Sequence, residues 1–138
     1  MVKHEFDEYL EAGFKFQGLM NGLANSIDLM LGFILENLGI QPYRMMLGKK
    51  IGKFKFEKSK AFLADKYTGD FDKLIEKLQE FNENWIITKH GMIVGGHKDL
   101  TFHKDGKLHT FDLKRQEEID REFTEIMKAL TEIWNSLP

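Results

Sequence analysis

The chain is 138 residues long, the size of one ordinary domain, and its 20 Lys and Arg against 22 Asp and Glu leave a formal net charge of -2. That balance excludes a polyanion binder that works through net charge, so any nucleic-acid surface must come from charge segregated within the fold. The absence of cysteine excludes disulfides and thiolate zinc sites, and a chain 42% hydrophobic and 30% charged has a soluble globular composition.

The opening MVKHEFDEYLEAG carries acids where an export signal needs an apolar run. The best apolar stretch, near Leu29–Leu35, falls far short of a bilayer's thickness. The expectation is a single domain, residues 1–138, in the cytoplasm, with no membrane partner and no cofactor.

From about Glu5 to Leu38, apolar residues recur at Phe6, Tyr9/Leu10, Phe14, Leu19/Met20, Leu23, Ile27, Met30, Ile34 and Leu38. Steps of three and four make one long helical stripe. Gly39 is a natural residue to end that helix, with Pro42 close behind. Within it, Gly18-x-x-x-Gly22 fits close packing against another helix of the same subunit, a helix contact between copies, or a kink. Met45, Met46, Ile51 and Phe54/Phe56 predict a short helix loosened by Gly48 and Gly52. A second short helix is expected over Glu57–Lys66.

Asp70 is placed to cap a third long helix, whose apolar series Phe71, Leu74/Ile75, Leu78, Phe81, Trp85 and Thr88 ends at His90-Gly91. DLTFH and KLHTF around Lys104-Asp105-Gly106 predict a β-hairpin with a three-residue loop, pairing His103 with Lys107 and Phe102 with Leu108. One hairpin face should lie on the helices, because an isolated hairpin is marginal. Asp112 then caps a last helix whose seam is Ile119, Phe123, Ile126, Leu130, Ile133 and Leu137. The fold class expected is mainly α: an antiparallel bundle of three to four substantial helices, with a β-hairpin inserted before the C-terminal helix.

Three histidines, His97, His103 and His109, sit in or beside the hairpin. The expected register puts His103 and His109 on one face, where imidazoles can bind zinc. No carboxylate stands at a ligand spacing, so no metal site is expected. GKKIGKFKFEKSK holds six lysines and one acid. With Arg44 upstream, Lys49, Lys50, Lys53 and Lys55 supply point charges for phosphates, and Phe54 and Phe56 either stack on bases or pack in the core. The acidic last helix, with Glu117, Glu118, Asp120, Glu122 and Glu125, makes the charge asymmetric and could attract this patch in a neighbouring copy.

FNENWIITKHG, residues 81–91, gathers Asn82, Lys89 and His90 at the end of a helix. Positions 85 and 90 stand about 140° apart around a helix axis, so they flank a face rather than share it. A histidine at a helix C-terminus meets carbonyls that favour its protonated form, and it serves as a general acid or base only with partners. Those same residues also suit the plain end of a core helix.

LGKKIGKF followed by DKLIEKLQEFNENWIITKHG resembles the HEPN-type helical domains, with Leu78, Phe81, Asn82, His90 and Gly91 falling on the family pattern over roughly residues 43–137. The resemblance implies a helical bundle, usually dimeric, whose intact Arg-x(4–6)-His motif cleaves RNA. It also implies a nucleotidyltransferase as the common neutralising partner. Here Trp85 stands at the arginine position and Ile86 at the polar position after it. Without a guanidinium the charge of a phosphorane-like transition state goes unmatched. Three readings follow. The first is a non-catalytic HEPN-like homodimer binding RNA or a protein. The second is a weak ribonuclease using His90 with Lys89 or a residue of another copy. The third is an unrelated helical interaction protein.

Overall fold

The structure, a computed structural model, describes residues 2–57, 67–95 and 99–137. It is a mainly helical bundle with a small antiparallel sheet before the last helix. Helix α1 spans Val2–Asn37, α2 Leu47–Phe56 and α3 Phe71–His90; strands β1 Met92–Gly95, β2 Leu100–Lys104 and β3 Lys107–Phe111 follow, then α4 Leu113–Ser136.

The caps follow from local chemistry. Gly39 takes φ 83°, which lets its N–H donate to the Glu36 carbonyl at 3.0 Å and the Ile40 N–H to Leu35 at 2.9 Å. This Schellman closure ends α1 where the sequence places it. The Asp70 carboxylate accepts from the Lys73 N–H at 3.1 Å, and Asp112 accepts from the Arg115 N–H at 2.7 Å. Helix α2 begins later than expected, at Leu47. The short helix expected over Glu57–Lys66 lies largely on residues outside those described.

Helix α1 turns Phe16, Met20, Ala24, Ile27, Leu31, Ile34 and Leu35 into the core. Phe14 and Leu19, which the sequence pattern counted with that stripe, stay exposed. The helix is apolar on more than one side, so periodicity alone could not choose the inward stripe. By length and composition Leu10–Asn37 would suffice to cross a bilayer, which corrects the expectation that no stretch could; in this fold its inner half is spent on the core. Gly18 and Gly22 have open space where a side chain would stand. Among the described residues no other helix of the same subunit packs closely on them.

The expected hairpin is present and carries a third strand: β1 pairs with β2, and β2 with β3, all antiparallel. Its turn has two residues, with Asp105 at φ 53° and Gly106 at φ 76°, the pair of positive angles that matches strand twist. The register is consequently Lys104 with Lys107, His103 with Leu108 and Phe102 with His109, one residue from the expected pairing. A slip of one exchanges sheet faces. His109 therefore shares the inner face with Phe102, while His103 lies outside beside Met92 and Leu108. The common histidine face expected from sequence does not form.

That inner face closes the core. Leu100, Phe102 and Phe111 are buried, and the Phe16 ring lies 5.3 Å from Phe111 and 6.3 Å from Phe102. Helix α4 contributes Ile119, Ile126, Leu130 and Ile133. At the junction of α3 and β1, a Cβ on Gly91 would stand 2.3 Å from the Ile87 carbonyl oxygen and 3.0 Å from Phe102 Cβ. The glycine after His90 thus has a packing reason of its own.

Gly91→Ala should cost about 1–3 kcal/mol in denaturant unfolding, because backbone must move to admit the methyl group. Gly52→Ala, in α2 and facing open space, should be neutral or stabilise by about 0.5–1 kcal/mol. Equal effects of the two changes would contradict the close approach at Gly91.

Candidate functional site

Helix α3 is surrounded, and the buried and half-buried polar residues of its second half meet α2, α4 and α1. Asn82, half-buried, lies against α2, its Nδ2 being 3.2 Å from where a Cβ on Gly48 would stand. Asn84 is 3% exposed, and its Oδ1 accepts from the Arg115 guanidinium of α4 at 2.7 Å. The same guanidinium lies 5.4 Å from the centre of the Phe111 ring. Trp85, half-buried, donates its indole N–H to Asn21 Oδ1 of α1 at 2.8 Å, and the Lys89 ammonium sits 4.6 Å over its ring. One turn further, Gln17 of α1 donates to the Thr88 carbonyl at 2.7 Å, while the buried Thr88 hydroxyl donates to the Trp85 carbonyl at 2.9 Å.

Ile86 and Ile87, half-buried, face the hairpin tip. With Glu83, Lys104, Lys107 and His109 they border an open cleft of about 460 Å³. Lys104 is already paired with its neighbour Asp105, and that bond holds the Asp105 carboxyl below its ordinary value. His90 closes the helix exposed to solvent. Among the described residues no contact joins it to Lys89, to an arginine or to a carboxylate. The structure therefore brings Trp85 and Lys89 together and leaves His90 apart from both.

Asn84, Arg115 and Asn21 were missed in the sequence. A signal existed for the first: Asn84 stands three residues after Phe81 in the inward series, where a polar side chain requires a partner. Nothing in one sequence shows that the partner is Arg115.

The second candidate is the basic segment. Residues 37–56 contain five cations and no acid. Lys49 and Lys50 have opposite fates. Lys50 is 8% exposed, its ammonium 3.0 Å from the Asp28 carboxylate and donating to the Asp28 carbonyl at 3.4 Å. The ammonium lies over Gly32, where a Cβ would make ordinary contact with it at 3.5 Å. Lys50 is therefore an internal ion pair and no part of an exposed patch. Arg44, at φ 62°, lies 5.2 Å over the Tyr43 ring and borders a different cleft, of about 430 Å³, with Asp28, Phe33 and Glu36.

Lys49 and Lys53 stay exposed on one face of α2, where with Gly52 and Phe56 they line an open depression of about 340 Å³. Lys55 is exposed on the flank. The two phenylalanines also part company. Phe54 is buried with its ring 5.0 Å from Phe71, whereas Phe56 is 79% exposed, so of the two uses open to this pair the core takes only Phe54.

The opposite charge collects on α4 and the facing side of α3. Burial, with Glu80 and Glu118 nearby, raises the Glu122 carboxyl above its ordinary value. Lys77 lies 2.6 Å from Glu125 and, by hydrogen bond and charge, lowers that carboxyl. Among the described residues no group of three or more His, Asp and Glu could hold a metal ion; His97 is outside them. Comparison with known protein-family models, with curated proteins and with solved structures gave no match.

Trp85→Arg should lower stability by about 2 kcal/mol, less than a fully buried tryptophan would lose. It removes the indole bond to Asn21 and sets a second cation beside Lys89. Denaturant unfolding measures the loss, and an unchanged midpoint would mean that the ring contributes nothing to the fold.

Proposed function

We propose that this protein is a non-catalytic, HEPN-like binding protein that works as a homodimer. The observation that carries this reading is Trp85. It occupies the position where the resemblance calls for a catalytic arginine, and it is tied into the fold by Asn21 on one side and Lys89 on the other. Phosphodiester cleavage needs a fixed cation on the developing charge, worth about 3–4 kcal/mol per such donor in well-studied sites. Lys89 is turned onto the indole instead, and Arg115 is held by Asn84. Among the described residues the exposed His90 makes no contact with a partner with which to move a proton.

The outward side of α1 supports the dimer. Phe14, Gly18, Gly22, Leu29 and Phe33 follow one another at helical steps on the side away from the core, with Phe14 and Leu29 61% and 59% exposed. Between Lys15 and Glu36 the helix carries one charge, Asp28, and Lys50 pairs with it. A nearly uncharged face of this length, apolar at Phe14, Leu29 and Phe33 with exposed Asn25 and Ser26 between and glycines permitting close approach, suits a second copy of the same helix.

Incubated with a mixed end-labelled RNA pool, the wild-type protein and His90→Ala should leave equal, intact RNA. Faster decay with the wild type would replace this reading with that of a ribonuclease using His90. In sedimentation velocity the wild type should run as a dimer and Leu29→Asp as a monomer of unchanged helicity. A monomeric wild type at micromolar concentration would remove the dimer from the proposal.

A further inference from the structure

Resting on that reading of the protein as a binder, we infer that the Lys49–Gly52–Lys53–Phe56 face of α2 is a binding platform for single-stranded nucleic acid. An unpaired base stacks on the Phe56 ring over Gly52, and the flanking phosphates meet Lys49 and Lys53.

The four residues stand at i, i+3, i+4 and i+7, so they fall on one side of the helix, opposite the buried Leu47, Ile51 and Phe54. Their chemistry is complementary to a strand rather than to charge alone. Phe56 is exposed far beyond what packing needs, at 79%, and presents a free aromatic face. Gly52 offers open space where any other residue would raise a side chain, which leaves the depression between Phe56 and the lysines unfilled. In the middle of a helix that glycine costs about 1 kcal/mol relative to alanine.

Lys49 and Lys53 are exposed, and the five cations of residues 37–56 outnumber the single acid that follows them, Glu57, one turn after Lys53. An acidic peptide would use the lysines but not the ring or the glycine. A duplex would offer phosphates but keep its base faces stacked away. Exposed π-face, open floor and two phosphate-reaching cations together select an unpaired strand.

The experiment is fluorescence anisotropy of labelled oligo(U), oligo(dT) and a hairpin duplex across a salt series, with each oligonucleotide run on a gel afterwards. Both single strands should bind more tightly than the duplex, and whichever of the two is held more tightly identifies RNA or DNA as the preferred strand. Replacing Lys49 or Lys53 with Ala should lower the slope of log affinity against log salt by about 0.7 each. Phe56→Ala should weaken binding about tenfold, and Phe56→Trp should restore it with quenching of the added indole. Gly52→Leu should weaken binding as much while keeping or raising the melting temperature, because it improves helix propensity in open space.

Binding indifferent to Phe56→Ala and Gly52→Leu, or competed equally by polyglutamate, would overturn the platform in favour of a plain basic surface. Intact oligonucleotides that fail to bind would overturn it as well, yet leave the non-catalytic reading standing. Cleaved oligo(U) in the wild-type lanes alone would overturn the reading on which it rests.

Discussion

Enclosure of α3 is the constraint from which the rest of this structure follows. A helix in the middle of a small bundle must satisfy polar groups on several sides, and here the buried and half-buried ones are held from α4 and from α1. Asn84 is held by Arg115 of α4, Trp85 by Asn21 of α1, and Thr88 by the turn before it and by Gln17. A buried amide left without its partner would cost about 1–3 kcal/mol, so these pairings fix the positions of α1 and α4 on α3. They also commit the Arg115 guanidinium to an asparagine side chain.

Charge in this protein is organised by burial as much as by sequence. Two adjacent lysines, Lys49 and Lys50, differ by one step around a helix. One is exposed beside Gly52; the other turns inward over Gly32 to pair with Asp28. A buried cation without that carboxylate would be costly, and the pair ties α2 to α1 at a defined height. The same ion pair neutralises the one charge in the central part of α1, so the outer side of that helix, with Phe14 and Leu29 exposed beside Asn25 and Ser26, carries no unpaired charge there. An internal electrostatic contact thus shapes two exteriors, a basic one on α2 and a nearly uncharged one on α1.

The hairpin shows how a small local choice propagates. Asp105 accepts a positive φ beside Gly106, so the turn needs two residues rather than three. With Lys104 kept in the strand, His109 moves to the inner face and His103 to the outer, and no pair of imidazoles remains together. The third strand was hidden for another reason. Met92–Gly95 is too short to show alternation, and it pairs with β2 through a bulge between Ile93 and Gly95. Its place against α1 depends on Gly13, because a Cβ there would meet Ile93 at 2.5 Å.

By itself the sequence determined whatever is local. Capping carboxylates at Asp70 and Asp112, the stop at Gly39, the periodicity of α3 and α4 and the turn at Gly106 each depend on residues within a few positions, where bond geometry and one hydrogen bond decide the outcome. That Trp85 stands where the HEPN resemblance would expect an arginine was equally legible, since it is a matter of residue identity. Tertiary structure alone decided which side of the doubly apolar α1 faces inward, that Phe54 is buried and Phe56 exposed, that Lys50 leaves the basic face, and that Asn84 and Arg115 belong together. Each of these is a competition between faces or partners far apart in the chain, and its result depends on where the other helices lie, which no local pattern encodes.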